Sequence, residues 1–326
     1  MPLDLHKFGH NHSEYCAMPK KILFATQRYQ YLKTRILAIA PADWEDGNII
    51  IRDFPDGEHY HRITSNVSGK EVVLIGGTID DKETLELFDI ANGCIQTGAT
   101  CLNLVIPYFG YSTMERAVQH GEIVKAKNRA ILFSALPTTL NTRVIMIDLH
   151  VDGISYYFES NVRPVHLYGK LLVREAALEL AQGKPFVLAS TDAGRAKWVE
   201  SLANDLQVTA AFVFKRRISG EETHITGISA NVEGQLVIIY DDMIRTGGSL
   251  IQAAQAYKDA GAREIAVITT HGIFAGKGFE KIRDSGLVSK IVCTDTHPNA
   301  LQITDPLLRV QSVAPLIVDY FLSIPQ

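Results

Sequence analysis

From Lys21 onward, short runs rich in β-branched residues alternate with amphipathic stretches. The runs Val72–Ile75, Leu102–Ile106, Val144–Ile147, Phe186–Ala189, Ala211–Phe214, Val237–Tyr240, Ile265–Thr269 and Ile291–Cys293 are apolar at nearly every position. Strands buried on both faces read this way. Helical stretches separate many of them. The clearest runs from Ser249 to Ala260, with Leu250, Ala253, Ala254 and Tyr257 spaced i, i+3, i+4, i+7 and Gly261 as the stop. Such strands between helices predict an α/β fold of mainly parallel sheets flanked by helices. The pattern runs through two halves with a break near Leu167–Gly169. It predicts two tandem domains of related design: residues 21–168, to which 305–326 return through a helix from Leu308 to Leu322, and residues 169–304. The first 20 residues lack apolar periodicity and read as an N-terminal extension.

Composition narrows the function. Apolar residues make up 46% and charged residues 21% of 326, so packed cores are expected throughout. The net charge of −4 argues against a broad basic field for nucleic acid or acidic lipid. There is no apolar run of the ~18 residues that a membrane span needs, and the N-terminus lacks a secretory pattern. Cys16, Cys94, Cys101 and Cys293 show no CxxC spacing, as expected of reduced thiols in a cytoplasmic protein. His6, His10 and His12 have no acidic or cysteine partner at ligand spacing and read as part of the solvated extension.

Ligands of open parallel sheets sit beyond the carboxyl ends of the strands. The most informative strand end is Tyr240-Asp241-Asp242-Met243-Ile244-Arg245-Thr246-Gly247-Gly248-Ser249. Thr246, Gly247, Gly248 and Ser249 place bare amides and two hydroxyls at a helix N-terminus, which suits a phosphate. Asp241 and Asp242 can accept hydrogen bonds from the two ring hydroxyls of a ribose. An acid pair, an apolar pair and Thr-Gly-Gly-Ser between strand and helix is more specific than a capped glycine turn.

This segment resembles the ribose-5-phosphate loop of the ribose-phosphate diphosphokinases (phosphoribosyl pyrophosphate synthetases) and, more loosely, that of type I phosphoribosyltransferases. Other segments, in the order the synthetases show, favour the first. Asp53-Phe54-Pro55-Asp56-Gly57-Glu58 is similar to the family's adenine-binding turn, which in relatives reaches ATP across a subunit interface and here implies Phe54, Asp56 and Glu58. Pro107-Tyr108-Phe109-Gly110-Tyr111 resembles the ATP-side loop, with Tyr108 and Arg116 as its contacts. In Asp148-Leu149-His150, His150 resembles an ATP and magnesium-site histidine. Ser190-Thr191-Asp192-Ala193-Gly194 puts Asp192 at a second metal-binding position. Lys215-Arg216-Arg217 resembles the start of a mobile catalytic loop, with Lys215 and Arg217 as the catalytic cations and 218–227 as a polar lid. Thr270-His271-Gly272-Ile273-Phe274 also matches, without an assigned role. The likeness runs from about Lys21 to about Pro298.

The resemblance implies two tandem phosphoribosyltransferase-like domains. It implies Mg2+-dependent transfer of the pyrophosphoryl group of ATP to the anomeric hydroxyl of ribose 5-phosphate. It also implies a homo-oligomer, from dimer to hexamer, and no nucleic-acid or membrane partner. Three departures qualify it. Where the family has Tyr-Ala-Arg-Gln-Asp-Arg, this chain has Tyr111-Ser112-Thr113-Met114-Glu115-Arg116. Arg245 stands where an acid is expected in the sugar-phosphate loop. Arg195 and Lys197 add cations where relatives carry small apolar residues. These changes leave two alternatives: a pyrophosphokinase for a larger 5-substituted ribose such as ADP-ribose, or a catalytically weak regulatory paralogue. A phosphoribosyltransferase is disfavoured by the adenine turn and the Lys-Arg-Arg run.

Overall fold

The computed structural model describes residues 21–137, 141–160, 162–219 and 222–324. The extension 1–20, with its histidines and Cys16, lies outside the described residues. The first half contains β1 (Lys21–Ala25), α1 (Gln30–Ile39), β2 (Trp44–Asp46), β3 (Ile49–Asp53), β4 (His59–Ile63), β5 (Glu71–Ile75), α2 (Asp81–Gln96), β6 (Cys101–Ile106), α3 (Lys125–Ser134), β7 (Asn141–Ile147) and β8 (Val162–Leu167). The second contains α4 (Lys170–Ala181), β9 (Phe186–Ser190), α5 (Ala196–Leu206), β10 (Thr209–Ala211), β11 (Val213–Ser219), β12 (Glu222–Ile228), β13 (Leu236–Ile244), α6 (Gly248–Asp259), β14 (Glu264–Gly272), α7 (Gly278–Ser285), β15 (Lys290–Thr294), β16 (Leu308–Gln311) and α8 (Ala314–Ser323).

Each half builds a six-stranded parallel sheet, ordered β2-β1-β5-β6-β7-β8 in the first and β10-β9-β13-β14-β15-β16 in the second. Adding eight to every strand number turns one order into the other, and the antiparallel hairpins β3–β4 and β11–β12 repeat in the same way. The register repeats too. Ala25, Ile75, Val105 and Ile145 form one row across the first sheet. Ser190, Tyr240, Ile268 and Val292 form the matching row in the second. Asp148-Leu149-His150 and Asp295-Thr296-His297 therefore occupy equivalent places after β7 and β15.

The unbroken apolar runs follow from burial on both faces. Ile22 and Phe24 of β1 pack with Leu87, Ile90 and Phe133 of α2 and α3. Leu23 and Ala25 pack on the opposite face with Leu32, Ile36, Ile317 and Phe321 of α1 and α8.

Two expectations change. The run 211–214 is not a single strand: β10 ends at Ala211, and β11 leaves the sheet to pair antiparallel with β12. Phe212 marks the departure, its backbone N–H donating to Ser229 Oγ and its carbonyl accepting from Ser229 N–H. Lys215 and Arg217 are therefore strand residues of a hairpin, opposite Ile225 and Thr223, and not the start of a loop. The run 308–322 is a strand of the second sheet followed by a helix, so the return to the first half begins at Ala314. Asp295 forces the break by accepting hydrogen bonds from Ser312 Oγ and Val313 N–H.

The carboxyl ends of the two sheets meet. Asp148 Oδ2 accepts from Thr270 Oγ1 at 2.6 Å, and His271 bridges the Asp148 carbonyl and Thr296 Oγ1 at 3.0 and 2.8 Å. Tyr29 donates to the Thr296 carbonyl, and Arg35 pairs with the buried Asp295. The stretch 270–271, given no role from sequence, thus joins the halves.

Candidate active site

Between the facing strand ends lies a cleft of about 440 Å³. The first half lends it His150 and Thr113; the second lends Thr191, Asp192 and the continuous run 241–250. Strand β13 continues to Ile244, so Asp241 and Asp242 are fixed by the ladder, with Asp241 opposite Thr269. The turn that follows needs glycine. Gly247 sits at φ +78°, and a Cβ there would lie 2.7 Å from Ile282 Cγ1 and 3.1 Å from the Gly278 carbonyl. Helix α6 starts at Gly248 with no side-chain cap, so its first N–H groups remain available to an anion.

The acid pair is electrostatically split. Asp242 is almost fully buried and accepts from His150 Nδ1 at 2.8 Å. Arg195 Nε donates to its Oδ1 at 3.0 Å and Arg195 Nη2 pairs with its Oδ2 at 2.7 Å. These partners outweigh burial and hold Asp242 ionised, well below the usual carboxylate range. Asp241 accepts from Thr191 Oγ1 at 2.9 Å and from the Asp242 N–H. Burial and the neighbouring Asp242 charge push its pKa upward, so a proton shared by the pair goes to Asp241. The hydrogen bond to Asp242 in turn raises the pKa of His150.

One cleft collects His150, Asp192, Asp241, Asp242, Arg245, Thr246, Gly247, Gly248 and Ser249. The other candidates lie elsewhere. Tyr108 is buried between the halves, its ring 5.0 Å from that of His271 and 5.2 Å from that of His297. Arg116 is exposed, beside Glu115. Phe54, Asp56 and Glu58 sit at the exposed tip of the β3–β4 hairpin. There, Glu58 lines a second cavity of about 410 Å³ with Asp53, His59, His61 and Lys82. Asp148, two residues before His150 in sequence, turns to Thr270 and the Gly169 N–H.

Sequence reasoning missed Thr113 as a lining residue, Thr191 as the partner of Asp241, and the engagement of Asp242 by Arg195. Arg195 is recognisable in sequence as an added cation. Its partner, 47 residues away, is not. Arg245 reaches across the cleft mouth, its Nη1 donating to Thr113 Oγ1 at 3.3 Å.

Two repeated parallel sheets thus face each other over an acid pair and a glycine-turned helix N-terminus, a two-lobed α/β architecture. Residues 21–136 match the N-terminal domain of ribose phosphate pyrophosphokinase, and residues 200–319 match the phosphoribosyl synthetase-associated domain. The ribose-phosphate pyrophosphokinase of Caldanaerobacter subterraneus subsp. tengcongensis is 32% identical over 290 residues, 88% of each chain. That of Rhodopirellula baltica is 33% identical over 275 residues, 83% of this chain and 85% of its own. The chain belongs to the ribose-phosphate pyrophosphokinase family. The crystal structure of phosphoribosylpyrophosphate synthetase from Mycobacterium smegmatis shares the fold, with a TM-score of 0.81 over 94% of this chain and 98% of that one at 23% identity. Among the described residues, no helix is long and apolar enough to cross a membrane.

Proposed function

We propose that the protein transfers the pyrophosphoryl group of ATP to the anomeric hydroxyl of ribose 5-phosphate, releasing phosphoribosyl pyrophosphate and AMP. The hydroxyl oxygen bonds to the β-phosphorus. The bond from that phosphorus to the α,β-bridging oxygen breaks, AMP leaves with the electron pair, and the hydroxyl proton goes to solvent. The observation that carries this reading is the single cleft in which the 241–249 run faces His150 and Asp192. The 5-phosphate would rest on the amides after Gly247, and the ring hydroxyls would meet the acid pair. Reactions of this class depend on positioning and charge neutralisation, a role that Lys215 and Arg217 on the hairpin would share.

The residues fit magnesium. No group of three protein ligands converges among the described residues. Mg2+ in nucleotide sites usually takes one or two protein ligands and fills the rest with water and phosphate. His150 lines the cleft and gives its Nδ1 to Asp242, so its Nε2 would be the atom for a metal, as in metal-binding imidazoles. His150 and Asp192 would hold the ion, which would neutralise phosphate charge. The adenine would come to Phe54, Asp56 and Glu58 of a neighbouring subunit, hence a homo-oligomer. A cytoplasmic location and two working units divided near Leu167–Gly169 belong to the same reading. Arg245 donates to Thr113 Oγ1 across the cleft, an engagement that favours ribose 5-phosphate over a diphosphate-bearing acceptor.

The test is AMP release from ATP with a panel of ribose phosphates at controlled free magnesium. AMP and phosphoribosyl pyrophosphate should form in equal amounts with ribose 5-phosphate. No AMP with any acceptor would overturn the reading.

A further inference from the structure

We infer that Arg195 is a resident cation of this site. Its guanidinium fills the space beside Asp242 on the Nδ1 side of His150, apart from the proposed His150–Asp192 magnesium position, where a second hydrated divalent ion would otherwise fit, and it makes Asp242 a clasp between the two halves. The inference rests on the sugar-phosphate reading of the adjacent turn.

The geometry is specific. Arg195 presents its fork to Asp242, Nε to Oδ1 at 3.0 Å and Nη2 to Oδ2 at 2.7 Å. The same Nη2 donates to the His150 carbonyl at 2.8 Å and lies 3.4 Å from His150 Nδ1. One side chain after β9 thus fixes a carboxylate at the end of β13 and the backbone after β7. Only a planar fork can bind a carboxylate with two parallel bonds and still reach a third acceptor. The Asp242 side chain is 3% exposed and that of Arg195 19%. A carboxylate so buried must be paired. Arg195 and His150 occupy three of the roughly four acceptor sites of the Asp242 carboxylate, which leaves room for one sugar hydroxyl but not for a metal as well. Asp241, whose partners are Thr191 and a backbone N–H, is left as the member of the pair with no cationic partner among the described residues.

The surroundings could accept an ion if the guanidinium were absent. On its far side, Arg195 lines a separate cavity of about 320 Å³ with Asp148, Asp152 and Gly194, open to solvent. Truncating the side chain would open that cavity toward Asp242 and leave the carboxylate with His150 as its remaining side-chain partner. Such a vacancy suits a hydrated divalent cation, and Mn2+ can report it without nucleotide or turnover.

The experiment is Mn2+ titration of the full-length protein without nucleotide, followed by electron paramagnetic resonance. Parent protein and Arg195→Lys should bind Mn2+ weakly and alike, since lysine keeps the charge. Arg195→Ala should gain one ion per chain, bound at least about tenfold more tightly than by the parent, because removing one member of a buried pair leaves its charge uncompensated. If Arg195→Ala fails to fold, Arg195→Ala/Asp242→Asn removes both charges and should fold without gaining an ion. Equal Mn2+ binding by parent and Arg195→Ala overturns the inference, as does a new ion in the double variant. Because this readout needs no catalysis, its failure is distinct from failure of the parent protein to release AMP.

Discussion

Replacing Gly247 by alanine tests the phosphate turn at its tightest point. The backbone there has φ +78°, where an L side chain costs roughly 1–2 kcal/mol. The new methyl would also lie 2.7 Å from Ile282 Cγ1, 2.9 Å from its Cδ1 and 3.1 Å from the Gly278 carbonyl. Ile282 is fully buried against Phe279 and Leu250, so it cannot swing into solvent. Overpacking of this kind costs about 1–3 kcal/mol. The two effects together predict a loss of about 2–5 kcal/mol, a large share of the ~5–15 kcal/mol typical of a folded protein. Relief should shift the turn by a few tenths of an ångström and misaim the N–H groups after it. Urea denaturation should therefore show the lost stability, and the KM for ribose 5-phosphate should rise about tenfold, the equivalent of one hydrogen bond near 1.4 kcal/mol. Gly247→Ala/Ile282→Val should recover part of the stability but not the backbone share. A Gly247→Ala protein with the parent's denaturation midpoint and KM would refute both the strain and the cradle.

Lys215→Ala or Arg217→Ala should lower turnover about a hundredfold or more with the fold intact, on the scale of roughly 2.7–4 kcal/mol for a preorganised charge; AMP release at saturating ATP within a few-fold of the parent would remove them from the mechanism. Arg245→Ala should raise the KM for ATP by about tenfold or more while changing that for ribose 5-phosphate little, since a charged hydrogen bond is worth ~1.5–3 kcal/mol and the guanidinium points toward Thr113; equal responses would place it in solvent. His271 is buried and its pKa is pushed down to about 4 from 6.5. The folded-state value is the lower one, so its contribution, roughly 3 kcal/mol, is complete above about pH 6.5 and is lost as pH falls toward 4. Urea melts at pH 7 and pH 4.5 should show the loss, and His271→Gln should reduce it; identical pH dependence in both proteins would count against it.

The sheets were legible because burial on both faces leaves the runs Val72–Ile75 of β5, Val144–Ile147 of β7, Phe186–Ala189 of β9 and Val237–Tyr240 of β13 without charged interruptions, and because α6 shows its period and its glycine stop. The 241–249 run was legible because its chemistry is local: strand, acid pair, turn and helix start follow one another. What could not be read depends on distance along the chain. That Asp242 would be taken by Arg195 and His150, and that Tyr108 would be enclosed by His271 and His297, requires the two halves to be docked. The hairpin at β11 was hidden for another reason. Val213 and Phe214 continue the apolar run of β10, and the Phe212–Ser229 hydrogen bonds that redirect the chain cannot be inferred from either residue alone.

Because the register repeats, the chain is in symmetry terms a dimer written on a single strand of polypeptide, although its inner contacts are not reciprocal. The His271 imidazole meets the Asp148 backbone, and its register counterpart Tyr108 meets His297. Two mouths are therefore laid out by the fold, and they are not alike among the described residues. At that of the first half, the turn after β5 is capped from within, where the Glu83 carboxylate accepts from Thr26 Oγ1 and faces the Gly77 N–H. His297, the twin of His150, is 5% exposed. On the proposed reading, the chain would take one sugar phosphate where the topology alone would allow two. A half-length chain, whichever half is kept, would expose a strand-end surface that the other half now covers.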